Sequence, residues 1–182
     1  MRQIITSKKT LKYFISEDYR VNGYSPKKRF LGFLCGGDVF SYLKNLRKLE
    51  YAKNTNKKIS YFFRRLIHLR KVKKFGVDIS TNCFGPGLKI EHLNAIVVNK
   101  NAIIGKNCVL HQFVTIGNNG YNNSCPTIGD NCYIGSNSSL IGKISIGNNV
   151  TIGAGSVVVH SFGSNVTLCG VPAKVVKSNN KL

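Results

Sequence analysis

Every sixth residue through most of the second half of this chain is aliphatic. The column at 98, 104, 110, 116, 128, 134, 140, 146, 152 and 158 reads Val, Ile, Leu, Ile, Ile, Ile, Leu, Ile, Ile, Val. Glycine follows it at 105, 117, 129, 135, 147 and 153. Two residues before it stands a small or β-branched residue: Ala102, Cys108, Val114, Cys132, Ser138, Val150 or Ser156. A period of six is too short for a helix-pair repeat and does not match 3.6. It is the period of a β-helix, whose short strands each turn a corner. The aliphatic column should point into the prism with the small residue beside it, so Cys108 and Cys132 are core residues. Glycine or asparagine should take the corners, where φ > 0 is often needed. Ten of the twelve positions from 92 to 158 obey the pattern; His92 and Asn122 do not. By phase alone, His92 stands in the aliphatic column, where a polar residue needs a reason.

The charge divides the chain at the same place as the pattern. Residues 1–75 hold 20 Lys and Arg against 4 Asp and Glu, and residues 76–182 hold 7 against 3. The first part reads as short helices. "DVFSYLKNLRKLEYAKN" spaces Val39, Tyr42, Leu43, Leu46 and Leu49 at helical steps, with Asp38 as N-cap. "ISYFFRRLIHLRKVKKF" repeats this with Ile59, Phe62, Phe63, Leu66, Ile67 and Leu69, and sets Arg64, Arg65, Arg70, Lys71, Lys73 and Lys74 on the other face. Such a helix is expected to pack its apolar face on a neighbouring domain or subunit. Peripheral contact with a membrane or an anionic substrate is the alternative. His68 has no assigned role.

The opening "MRQIITSKKTLKYFISEDYR" lacks the apolar core of a signal peptide, and no run approaches the ~20 apolar residues of a membrane span. The six cysteines show no CxxC and no metal-ligand spacing. They are expected as reduced thiols in a cytoplasm, with no metal. No aromatic–basic RNA motif stands out in the basic part, so no nucleic-acid partner is expected.

The hexads resemble those of the bacterial hexapeptide-repeat acyltransferases, and within that group the serine acetyltransferase branch. The matching stretches are "VDI" (77–79), "GPGLKIEH" (85–92), "IVVNKNAIIGKN" (96–107), "QFVTIG" (112–117), "PTIGDNCYIG" (126–135), "IGAGSVV" (152–158) and "GVPAK" (170–174). The resemblance implies a mainly β fold, a left-handed parallel β-helix over residues 76–177. The basic α-helical region 1–75 would precede it and a tail, 178–182, would follow. It implies an acetyl-coenzyme A-dependent O-acetyltransferase, a homotrimer with active sites between subunits.

By the same resemblance His92 is the general base for the acceptor hydroxyl, since imidazole titrates near the working pH. Asp78 would orient it, although its spacing to His92 is one residue short of the branch pattern. His111 stands 19 residues after His92, one coil up and one position along, and could face the same cleft. Gly135, Ser136, Gly153 and Ala154 would meet the pantetheine arm of coenzyme A, and Lys174 and Lys177 its phosphates. Gln112, Ser124 and Cys125 fall on the acceptor side. The branch usually places Arg-His before Pro126 to hold a serine carboxylate. This chain has Ser124 and Cys125 there, which removes a charge-assisted hydrogen bond. The expected acceptor is therefore a sugar hydroxyl of a capsule or lipopolysaccharide precursor. Free serine is the alternative, and a non-enzymatic scaffold or nucleic-acid-binding protein the second.

Overall fold

The computed structural model describes residues 3–24, 38–121 and 123–178. Cys35, Asn122 and the expected capping side chain of Asp38 fall outside them. Three helices come first among the described residues: α1 (Lys8–Val21), α2 (Asp38–Asn54) and α3 (Lys58–Phe75). Fourteen strands follow, most of them two residues long. Ser7 caps α1, accepting from the backbone of Thr10, whose hydroxyl in turn accepts from the Ser7 backbone. Gly76 ends α3 at φ 65°, donating to the Val72 carbonyl.

The strands stack as a parallel β-helix with three faces. The first face holds β1 (Asp78–Ile79), β3 (Val97–Val98), β6 (Thr115–Gly117), β9 (Ser139–Ile141) and β12 (Val157–Val158). The second holds β4 (Ile103–Ile104), β7 (Thr127–Ile128) and β10 (Ser145–Ile146), extended by bridges to Phe84 and Phe162. The third holds β2 (Lys89–Ile90), β5 (Val109–Leu110), β8 (Tyr133–Ile134), β11 (Thr151–Ile152) and β13 (Val166–Gly170). An antiparallel β14 (Ala173–Ser178) closes that face. The chain therefore turns from first to second to third face and back.

The aliphatic column is the core. All ten of its residues from Val98 to Val158 are buried, as are the seven small residues two before them. Asparagine takes the corner between the second and third faces. Asn107, Asn131, Asn149 and Asn165 have φ near +54 to +61°. Their amides form a ladder, each Nδ2 donating to the next Oδ1 at 3.0, 3.1 and 2.9 Å. The glycines after the column serve a different need from the expected positive φ. A Cβ on Gly129 would lie 2.7 Å from the Gly147 carbonyl oxygen of the next coil, and Gly105, Gly135, Gly147 and Gly153 are likewise close-approach glycines, whereas Gly117 faces open space.

The helices cover the first coil. Tyr42, Leu43 and Leu46 of α2 join the core with Val77, Ile79, Phe84 and Leu88. Tyr42 Oη donates to the Val77 carbonyl and accepts from the Ile79 amide, both at 3.2 Å. Beside them Arg47, fully buried, donates to Asp18 and Glu50 and to the carbonyls of Phe84 and Gly85. Asp18 also accepts from the Gly87 and Leu88 amides, and Glu50 from the Asn82 amide. A buried charge persists only when paired and hydrogen-bonded, and this cluster meets that condition. Burial opposes the Arg47 charge, but its carboxylate partners more than offset this and the guanidinium stays charged. Burial pushes the Glu50 carboxyl up, against the pull of Arg47.

Candidate active site

The register corrects the position of His92. Ile90, not His92, occupies the inward column, paired with Leu110 of the next coil. From Ile90 to Val98 the chain has eight steps where a hexad has six. Two hydrogen bonds locate the excess: Glu91 N donates to the Leu110 carbonyl, and Phe113 N to the Asn94 carbonyl, both at 3.0 Å. Between these anchors the next coil passes directly from His111 to Gln112, whereas this coil inserts His92 and Leu93. The two extra residues leave the prism as a bulge at the corner between the third and first faces. The imidazole is accordingly exposed. Counting in sixes back from Val98 could not see this, because the phase slips within the interval being counted.

The bulge forms one wall of a cleft of about 630 Å³ lined by Val39, Phe75, Glu91, His92, Leu93, Asn94, Gln112 and Phe113. Gln112 lines it too, and its Oε1 is buried without a hydrogen-bond partner. The chain has left the strand by Glu91, so Glu91 lines the cleft rather than pointing away as an extended strand would require; it pairs with Lys89. Val39 and Phe75 show that the helical region supplies part of the wall. Neither carries any signal in the sequence for this role. Phe113, at φ 62°, was also missed. Among the described residues no lysine or arginine lines the cleft.

His111 lies one coil up, level with Glu91 rather than one position past His92. Its ring packs on Tyr133, centroids 5.0 Å apart, with Nε2 buried and unpartnered, and it is not in the lining of the cleft. Asp78 is exposed on the first face. Its charge acts on Tyr42 and His68 across the helix interface, and among the described residues no hydrogen bond or ion pair joins it to His92.

The later candidate residues stack above the bulge on the same corner. Phe113 N bonds the Asn94 carbonyl, Asn137 N the Gln112 carbonyl, and Gly155 N the Ser136 carbonyl. Asn94, Gln112, Ser136 and Ala154 are thus successive rungs of one edge, with Gly135 and Gly153 one residue before. Lys174 and Lys177 sit on β14, paired with Cys169 and Thr167 at the top of the third face. From the bulge to the Gly170 level is four coils, roughly 19 Å at one strand spacing each. Gly135 and Gly153 have a packing reason of their own, since a Cβ on Gly135 would meet Ala154 N at 2.7 Å and one on Gly153 the Cys169 sulfur.

Ser124 and Cys125 lie elsewhere. The stretch 118–126 connects β6 to β7, at the corner between the first and second faces, and Tyr121 there is 93% exposed. Cys125 packs partly against the core, and burial pushes its thiol up, away from a nucleophile's range. Within one chain these residues and His92 occupy different edges of the prism. Among the described residues no group of three or more His, Cys, Asp or Glu is arranged to hold a metal.

Residues 125–160 match the family described as bacterial transferase hexapeptide (six repeats). The chain is 35% identical over 145 residues to a serine acetyltransferase of Buchnera aphidicola, an alignment covering 74% of this chain and 52% of that protein. It is 42% identical over 103 residues to WcaB of Escherichia coli, whose name provisionally assigns it to colanic acid biosynthesis as an acetyltransferase; 56% of this chain and 64% of that protein align. Among solved structures, the serine acetyltransferase of Brucella abortus in complex with coenzyme A superposes with a TM-score of 0.74 at 27% identity, over 96% of this chain and 69% of that one. The chain spans about half the length of the curated serine acetyltransferases it matches first.

Proposed function

We propose that this chain, which carries the hexapeptide repeat and is similar to serine acetyltransferases of the left-handed β-helix acyltransferase superfamily, transfers an acetyl group from acetyl-coenzyme A to an acceptor hydroxyl. The observation that carries this reading is the His92–Leu93 bulge, which sets an exposed imidazole in a cleft beside an unpartnered Gln112 amide oxygen. His92 Nε2 or Nδ1 takes the hydroxyl proton as the acceptor oxygen attacks the thioester carbonyl. The C–S bond then breaks, and the departing thiolate recovers that proton from the imidazolium. Gln112 accepts a hydrogen bond from the acceptor. Ser136 and Ala154, with Gly135 and Gly153, line the pantetheine arm along the same edge, and Lys174 and Lys177 meet the phosphates. An extended arm can span the four coils between them. The reading gives Asp78 and His111 no direct contact with the imidazole.

The edge separation of His92 from Ser124 and Cys125 supports a trimer. In a threefold assembly of prisms, the 118–126 loop of one subunit can reach the His92 edge of its neighbour. The site would then be completed between subunits.

The relatives put free serine first as the acceptor, ahead of the sugar hydroxyl expected from the loop. A sugar hydroxyl is kept as the second reading because Ser124–Cys125 replaces the expected Arg-His and, among the described residues, no cation lines the His92 cleft. The likeness to WcaB also favours it. Incubation with acetyl-coenzyme A and either serine or a panel of nucleotide and lipid-linked sugars, followed by mass spectrometry, separates them. O-acetylserine at high turnover selects serine; acetylated sugar alone selects the second reading. Acceptor-independent release of coenzyme A that survives His92→Ala would overturn both.

A further inference from the structure

Among the described residues nothing covers the apolar stripe of α3. Ile59, Phe62, Phe63 and Leu66 are exposed by 78, 58, 59 and 41%, with Leu69 and Ile67 at 40 and 37% on their flanks. The helix is held to α2 by its opposite side. His68 is buried against Tyr42, ring centroids 5.7 Å apart, Asn45 Nδ2 donates to the Arg64 carbonyl, and Lys71 Nζ donates to Ser41. The stripe is therefore turned outward by the packing itself.

Its composition selects a partner. Ile59, Phe63, Leu66, Arg70 and Lys73 follow at steps of four, three, four and three, so they share one helical face. That face is aromatic and aliphatic over its first half and cationic over its second. The helix carries seven Lys and Arg and no Asp or Glu, and Arg65, Arg70, Lys73 and Lys74 are exposed. A second copy of α3 fits this face poorly. Parallel pairing would set Arg70 and Lys73 against their own copies, and antiparallel pairing would bury them against Ile59 and Phe63. An anionic bilayer satisfies both halves. Rings and aliphatic chains enter the headgroup–acyl boundary while the long cationic side chains reach lipid phosphates. No helix among the described residues is long and apolar enough to cross a membrane, so the contact is peripheral.

We propose that α3 docks this protein on an anionic lipid membrane through Ile59, Phe62, Phe63 and Leu66, with Arg70 and Lys73 on the headgroups. Phe75, the last residue of α3, lines the His92 cleft, so docking holds that cleft within one helix length of the lipid surface.

Co-sedimentation of the full chain with phosphatidylcholine vesicles, with and without one-third phosphatidylglycerol, tests this without any acetyl donor. Binding is expected on the anionic vesicles and is weakened by salt. Each cation near an anionic surface contributes roughly fivefold, so Arg70→Gln with Lys73→Gln should weaken partitioning roughly 25-fold. Phe62→Ser with Phe63→Ser should abolish it while leaving the melting temperature unchanged, since both side chains are exposed. Three results would overturn the proposal: no binding to anionic vesicles, equal binding to neutral ones, or binding that survives both double variants. A fourth is a fall in assembly mass on sedimentation of Phe62→Ser/Phe63→Ser, which would make the stripe a subunit interface.

Discussion

The helical region and the prism are built as near inverses. The prism buries its aliphatic residues in one repeating column and leaves its imidazole at a corner. The helical region buries Arg47, Asp18, Glu50, Asn45 and His68, and turns the apolar side of α3 outward. One part is stabilised by many similar small contributions, each local to a coil. The other hangs on a few polar groups whose loss leaves charges without partners. A single substitution should therefore be sharp in the helices and graded in the prism, except at the bulge, where the proposed chemistry rather than packing is at stake.

His92→Ala carries the largest expected effect. With His92 in the proposed role of general base, its removal lowers turnover by roughly 10²–10⁴-fold. Because the side chain is exposed and outside the column, the denaturation midpoint should not move. Initial rates of coenzyme A release with the working acceptor, measured beside a denaturant titration, check both halves. A large loss of stability would return His92 to the core and break the contrast between bulge and column.

Arg47→Ala comes next. It strips both carboxylates of their cation inside a fully buried cluster, at a cost of about 3–5 kcal/mol by chemical denaturation. Ile134→Val, one methylene in the middle of the column, should cost about 1 kcal/mol. If the two changes proved equal, the helices would not depend on their polar clamp in the way the geometry requires.

The same inversion explains what the sequence disclosed. A period of six is a one-dimensional signal, and it located ten buried residues and the asparagine corners without any knowledge of contacts. Helical steps likewise placed α2 and α3 and the burial of Tyr42, Leu43, Leu46 and Leu49. For α3 they left the orientation open, because periodicity shows that a helix has an apolar side but not which side meets the rest of the chain. The stronger claim of His68, Asn45 and Arg64 on the α2 interface is visible only in three dimensions. His92 was singled out as an exception within the column, but the geometry puts it outside the column altogether. A two-residue insertion preserves neither phase nor neighbour, and only the Ile90–Leu110 register reveals it. The wall residues Val39 and Phe75 come from another part of the chain, so no local pattern could have assigned them.

His68 gives the smallest and most specific test of the inversion. Burial holds its imidazole below the ordinary histidine range, the charge of Arg65 adds to this, and Asp78 opposes. Asp78, Arg65 and Tyr42 are the groups whose charge or ring faces it. In the unfolded chain His68 binds a proton near pH 6.5, whereas in the fold it resists one, so the unfolded state holds more protons in that window. Stability therefore rises with pH through it, and the contribution is lost as pH falls below about 6.5. The neighbouring carboxylates also titrate in acid, so the quantity to measure is the difference between the wild type and His68→Gln. The wild type should lose more stability between pH 7.5 and 5.5 than the variant, which has no proton to gain. Equal losses would mean that His68 is as accessible to protons as a surface residue. The polar interior of the helices would then be wetter than its burial implies.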